Sequence, residues 1–130
     1  MQPLTKEWIS KAEGDFATAL REIRARKSPN YDAACFHAQQ CAEKYLKAVL
    51  QENAIEFGKT HNLSALLDKI ITVNPLTERL RPALIALNAF AIDYRYPGEM
   101  ADKELAKKAV SVCREVRTRI RAILHLRNSH

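Results

Sequence analysis

The sequence predicts an all-α fold, an up-and-down helical bundle of four long helices plus one short helix, in a single domain spanning residues 1–130. Three observations predict it. Only three glycines and five prolines punctuate the 130 residues. The runs between them are rich in Ala, Leu, Lys, Arg and Glu, all strong helix formers, and β-branched residues nowhere gather into the alternation of a strand. A chain of this length buries about two-thirds of the surface that its unfolded form exposes, enough for a core without disulfide or metal staples.

In a first helix over residues 5–26, Trp8, Ala12, Phe16, Ala19 and Ile23 recur at spacings of three and four, with Thr5 as its candidate cap. Gly14 lies inside it at a propensity cost of about 1 kcal/mol. Ser28-Pro29-Asn30 breaks this helix and starts the next. Either Ser28 caps with Pro29 at the first helical position, or Asn30 caps and Asp32 meets the helix dipole. The second helix runs to Glu52. Gly58 marks the link that follows, and His61-Asn62-Leu63 opens a short helix carrying Leu63, Leu66, Leu67 and Ile70, closed by Asn74-Pro75. Thr77 and Glu78 begin a fourth helix with Leu80, Leu84, Leu87 and Ala91 on its apolar side. It ends near Arg95, because Pro97 pushes Tyr96 out of the α region. From Asp102 a last helix carries Leu105, Ala109, Val112, Val116, Ile120 and Ile123 at helical spacing. The short connections imply antiparallel packing of consecutive long helices.

The formal charge of +6 favours an anionic partner such as RNA, a nucleotide or an acidic protein face. Lys107, Arg114, Arg117 and Arg121 place part of that charge along one side of the last helix, either as an RNA-facing surface or as a solvated face. Cys35, Cys41 and Cys113 show no C-x-x-C spacing and read as core thiols in a reducing compartment. With no charged-then-apolar leader and no apolar run near the ~20 residues of a membrane helix, the expectation is a cytoplasmic protein without a membrane partner.

The second helix holds the most informative stretch, His37-Ala38-Gln39-Gln40-Cys41-Ala42-Glu43-Lys44-Tyr45-Leu46-Lys47. At about 100° per residue, Ala34, Cys35, Ala38, Cys41, Ala42, Tyr45, Leu46 and Val49 share one apolar arc. His37, Gln40, Glu43, Lys44 and Lys47 take the opposite arc. Gln39 falls inside the apolar arc and needs an internal hydrogen-bond partner. The polar arc is either a solvated face or a binding stripe, since a ring nitrogen, an amide and two ammonium groups can hold phosphate oxygens and base edges.

Phe36-His37-Ala38-Gln39-Gln40 with Glu43-Lys44 and Lys47-Ala48, the earlier Trp8, Ala12 and Asp15-Phe16, the later His61-Asn62-Leu63, and Asp93-Tyr94-Arg95-Tyr96-Pro97 together resemble the HEPN domain, the higher eukaryotes and prokaryotes nucleotide-binding family. The resemblance spans nearly the whole chain in the family's order. It implies a helical bundle that forms a homodimer and acts with a separately encoded minimal nucleotidyltransferase, as in toxin–antitoxin-type pairs. It implies no cofactor.

Many members of that family are metal-independent ribonucleases using an Arg and a His a few positions later, contributed by both protomers. Here Arg95 is followed by Tyr96-Pro97-Gly98-Glu99-Met100-Ala101-Asp102, without a histidine, so ribonuclease activity does not carry over and no catalytic residue is assigned. Arg119 and His125 have a similar spacing but lie within the predicted last helix, away from the family's loop-proximal position. Arg95 reads either as a cation stabilised by the helix dipole, worth typically about 0.3–1 kcal/mol, or as a phosphate ligand flanked by Tyr94 and Tyr96, whose rings can stack on a base. The candidate nucleotide-binding residues are Arg95, His37, Gln40, Lys44, Lys47, Tyr94 and Tyr96. His61, His125 and His130 show no metal-ligand pattern.

Three functions follow as expectations. The first is a nucleotide- or RNA-binding and protein-interaction module. The second is a divergent ribonuclease in which Arg95 steadies the phosphate and His37 or His61 moves the proton. The third is a purely structural dimer.

Overall fold

Three helices of the chain start on the same device. In a computed structural model, which describes residues 1–92 and 97–126, the side-chain oxygens of Asn30, Asn62 and Asp102 each accept a backbone N–H three residues on. The distances are 2.9 Å to Ala33, 3.1 Å to Ala65 and 2.8 Å to Leu105. Each bond satisfies a donor that a helix start leaves open. The helices are α1 (Pro3–Arg24), α2 (Tyr31–Glu52), α3 (Leu63–Ile70), α4 (Arg81–Ile92) and α5 (Lys103–Ile123), with a 3₁₀ helix, Pro75–Leu80, ahead of α4. The described residues contain no strand. The choice left open between Ser28 and Asn30 is resolved: Asn30 caps, and Ser28 takes a left-handed turn conformation with φ 47°.

Two boundaries differ from expectation. Thr5 does not cap α1. The helix starts earlier because Pro3 occupies its first turn, where a missing N–H costs nothing. Thr5 is then buried inside the helix, where its hydroxyl donates to Glu52 Oε1 at 2.9 Å, and Gln2 N–H donates to the same oxygen at 3.0 Å. The fourth helix does not run unbroken from Thr77. Proline at 82 has no N–H for the carbonyl of Glu78 and its ring would clash there, so the chain makes a 3₁₀ turn first and restarts as α4 at Arg81.

The bundle is built around α2. Gln2 and Thr5 meet Glu52, Glu13 meets Tyr45, and Glu22 accepts from Asn30 N–H, so α1 runs antiparallel to α2. Ala101 N–H donates to Asp32 and Arg121 donates to Tyr45, so α5 runs parallel to α2 as the fourth member of an up-and-down bundle must. One core holds them together, with Tyr45, Leu46, Val49, Leu50, Leu66, Leu67, Leu84, Leu87 and Ile120 all fully buried. Ala12, Ala19, Ala34, Ala38, Ala42, Ala106 and Ala109 are also inaccessible, and their small side chains let the helix backbones approach closely. Among the described residues no helix is long and apolar enough to cross a membrane.

Candidate functional site

Because α2 is surrounded, only part of its polar arc reaches solvent. Glu43 and Lys47 are only 2% and 5% exposed. Between Ala34 and Leu50, only Phe36, His37, Gln40 and Lys44 are not buried. At about 100° per residue these four occupy a single arc about 100° wide, which opens along the seam between α2 and α1.

Asp15 of α1 sits in the middle of that seam, with its side chain 10% exposed. Its Oδ1 lies 2.8 Å from His37 Nδ1, and its Oδ2 accepts from Lys44 Nζ at 2.5 Å. A proton on Nδ1, donated to the carboxylate, leaves Nε2 as the acceptor nitrogen of the imidazole. The Phe36 ring meets the His37 ring edge-on, with centroids 5.3 Å apart. Gln40 Nε2 donates to Gln39 Oε1 at 2.8 Å, which supplies the internal partner that a buried Gln39 requires.

Lys47 is turned away from this row. Its ammonium donates to Glu43 Oε2 at 3.2 Å and lies over the rings of Trp8 and Phe57, at 5.4 and 5.8 Å from their centroids. The aromatic faces supply part of the stabilisation that water would have given the cation. His61 is exposed and reaches the same carboxylate, its Nδ1 3.1 Å from Glu43 Oε1. The structure thus groups His37, Gln40 and Lys44 around Asp15, and separately groups Lys47 and His61 around Glu43.

The basic side expected on α5 divides. Lys107 and Arg114 are exposed. Arg117 is buried, because it grips Glu13 through two bonds of 2.7 Å and lies 4.7 Å from the centroid of the Phe16 ring. Arg121 donates to Tyr45 at 3.0 Å, and the Tyr45 hydroxyl donates in turn to Glu13. Burial alone would raise the Glu13 pKa, but hydrogen bonds from Arg117 and Tyr45 and the charges of Arg117 and Arg121 outweigh it and hold the carboxyl below its ordinary value. Two of the four basic residues read as either an RNA-facing or a solvated side of α5 are therefore braces between helices.

Tyr94, Arg95 and Tyr96 lie outside the described residues. Arg119 is exposed within α5 and His125 follows the helix end. Among the described residues no three His, Cys, Asp or Glu side chains are placed to hold a metal ion. Sequence reasoning did not place Asp15 and Phe36 beside the His37–Lys44 row, where the structure puts them. Asp15 had a signal, a carboxylate one residue before the apolar Phe16 and so on the margin of the α1 core stripe.

Two comparisons bear on the family. The model of the HEPN domain matches residues 5–123. A crystal structure of an archaeal HEPN homologue superposes with a TM-score of 0.70 at 25% sequence identity, covering 94% of this chain and 98% of that one. No curated protein matches. A family match that runs from the first turn of α1 to the last residue of α5, joined to a shared fold over nearly all of both chains, establishes that this chain belongs to the HEPN domain family.

Proposed function

We propose that this HEPN domain is a nucleotide- or RNA-binding and protein-interaction module, holding a phosphate at the His37–Gln40–Lys44 row with help from Arg95 between Tyr94 and Tyr96. One observation carries the reading: the only side chains through which the core of α2 reaches the surface are Phe36, His37, Gln40 and Lys44. Between Ala34 and Leu50 a helix otherwise buried presents an aromatic ring, an imidazole, an amide and an ammonium in a single row. The module acts in the cytoplasm as a homodimer beside a separately encoded minimal nucleotidyltransferase, in a toxin–antitoxin-type pair. In support of the homodimer, α4 leaves Pro82, Ile85 and Ala89 exposed, an apolar side that a second copy would cover.

Titration calorimetry with ATP and with a short RNA tests the binding. Lys44→Ala and Arg95→Ala should each weaken it by about 1.5–3 kcal/mol, the range for a lost charged hydrogen bond, and Arg95→Lys should recover only part of the loss. Equal affinity in all the proteins would remove both residues from the site.

One observation favours a second reading, a divergent metal-independent ribonuclease. Asp15 orients His37 through Nδ1 and so leaves Nε2 to take the 2′-hydroxyl proton. RNA cleavage in excess chelator that disappears in His37→Asn would support it. An uncleaved RNA that nevertheless binds would leave the binding module alone.

A further inference from the structure

Phe36 is 45% exposed, beside the half-buried Asp32, Ala33, His37 and Gln40, on a helix that is otherwise mostly buried. A large apolar side chain left in water has a use where something planar or apolar covers it. What surrounds this ring decides between the two. His37 packs edge-on against it. Lys44 Nζ and His37 Nδ1 bond opposite oxygens of the Asp15 carboxylate, at 2.5 and 2.8 Å, so the ammonium lies one carboxylate's width from the imidazole. Gln40, one helical turn beyond Phe36, spends one N–H on Gln39 and keeps its carbonyl oxygen. An apolar protein face laid here would strip water from an ammonium, an imidazole, an amide and a carboxylate without replacing it. A nucleotide leaves none of them stranded, since it carries a flat π surface, polar edges and a phosphate within one small molecule.

We propose that Phe36 is the base-stacking platform of the row, and that its ligand is a purine nucleotide unit with the base on the Phe36 ring, its amino edge toward Gln40 and its phosphate toward Lys44. A purine offers the larger face for stacking, and stacking on an aromatic side chain tolerates either a free nucleotide or a unit within a single strand. Lys11 and Thr18 extend the seam one turn to either side of Asp15 on α1, and the exposed Lys11 adds a second cation for a phosphate. The assignment rests on the proposed binding function and goes further by naming the base subsite.

Calorimetry with AMP, ribose 5-phosphate and oligo(A) on the full chain tests it, using wild type, Phe36→Leu and Phe36→Trp. Wild type should bind AMP more tightly than ribose 5-phosphate. Phe36→Leu should lose that preference, with AMP weakened roughly five- to hundredfold, the range for one lost base–aromatic stack, while ribose 5-phosphate binding stays as it was. Phe36→Trp should keep the preference, with quenching of the new indole by AMP beyond the signal from Trp8. Tighter binding of oligo(A) than AMP would identify a strand as the source of the nucleotide, and the reverse a free nucleotide. A Phe36→Leu protein that keeps the full preference for AMP would overturn the platform and leave phosphate binding at Lys44 intact. No binding of any of the three ligands to wild type would remove both readings.

Discussion

The Lys44 ammonium and the Asp15 carboxylate meet across the α1–α2 seam at 2.5 Å, with the Lys44 side chain 22% and that of Asp15 10% exposed. The cation that the proposed function assigns to a phosphate is thus already engaged, and an incoming anion would compete with Asp15. Asp15→Asn keeps the shape and one acceptor but removes the competing charge. It should tighten phosphate or AMP binding by roughly tenfold, as expected when one charge a few ångströms away is removed in a partly solvated site. The stability cost should be about 1–2 kcal/mol from the weakened bonds. Weaker binding in Asp15→Asn, measured by calorimetry, would show instead that the carboxylate holds Lys44 and His37 in their working positions.

Glu13 and Arg117 join α1 to α5 beneath Tyr45. Removing Arg117 leaves a carboxylate with 31% of its side chain exposed and strips the packing from Phe16. Arg117→Ala should lose about 2–3 kcal/mol in urea unfolding, below the 3–5 kcal/mol of a fully buried broken pair because water reaches Glu13. The pH dependence has a fixed sign. The Glu13 pKa is depressed in the folded state, so its stabilisation is complete above the ordinary carboxylate value and is lost as pH falls through the folded one. Unfolding midpoints followed from pH 7 to about pH 3 should fall less in Glu13→Gln, from a lower start, than in wild type.

Gly14 lies in the exposed interior of α1, and a Cβ added there would meet nothing within 4 Å. Gly14→Ala should therefore stabilise the protein by about 0.5–1 kcal/mol through helix propensity and a less flexible unfolded chain. A thermal melt raised by a few degrees is the expected result, and a lowered one would reveal a contact at this face that the isolated chain lacks.

On α5 the exposed Lys107 and Arg114 are separable from the buried Arg117. Lys107→Gln should leave unfolding unchanged, while Arg114→Gln, which removes a guanidinium 5.6 Å from the centroid of the Phe16 ring, should cost no more than about 0.5–1 kcal/mol. If single-stranded RNA lies along this helix, each replacement should reduce the salt slope of binding by about 0.7. An unaltered slope in the double variant would confine the nucleic-acid contacts to the α1–α2 seam.

The three thiols should be inert in the folded state. Burial, with the nearby charges of Asp32 and Asp102, pushes Cys35 up to about 11, and the hydrogen bond with Cys113 and burial hold Cys41 well above the ordinary thiol value. An aromatic disulfide reagent at about pH 8, below the unperturbed thiol pKa, should modify none of Cys35, Cys41 and Cys113 until denaturant is added. Rapid modification of any one would mark local opening of α2 or α5.

The helices were legible in the sequence because their signals are local. Asn62 and Asp102 announce their helices by residue type, and leucine spacing shows which side faces inward. Pro82 was equally visible, yet an apolar stripe that continues across it concealed the break. The site was harder to read for a different reason. Helical periodicity treats α2 as a cylinder with one neighbour, and α2 has several, so Glu43 and Lys47 look solvated in projection and are buried in space. His37, Gln40 and Lys44 stay half-buried because their arc coincides with the one gap between Ala34 and Leu50. Asp15, which organises them, stands 22 residues before His37, and no local pattern links the two.

The enclosure of α2 also limits how such a domain can change. One residue inserted between Gln40 and Cys41 would rotate everything after it by about 100°, moving Lys44 out of the seam and Tyr45 and Leu46 out of the core together. The helix is thus locked in length as well as in composition. Under the proposed binding function, a change of ligand would fall on Phe36, His37, Gln40 and Lys44, while gains and losses of residues would fall in the connections at the two ends of α2. Variation in ligand and variation in size would therefore fall on different parts of the chain.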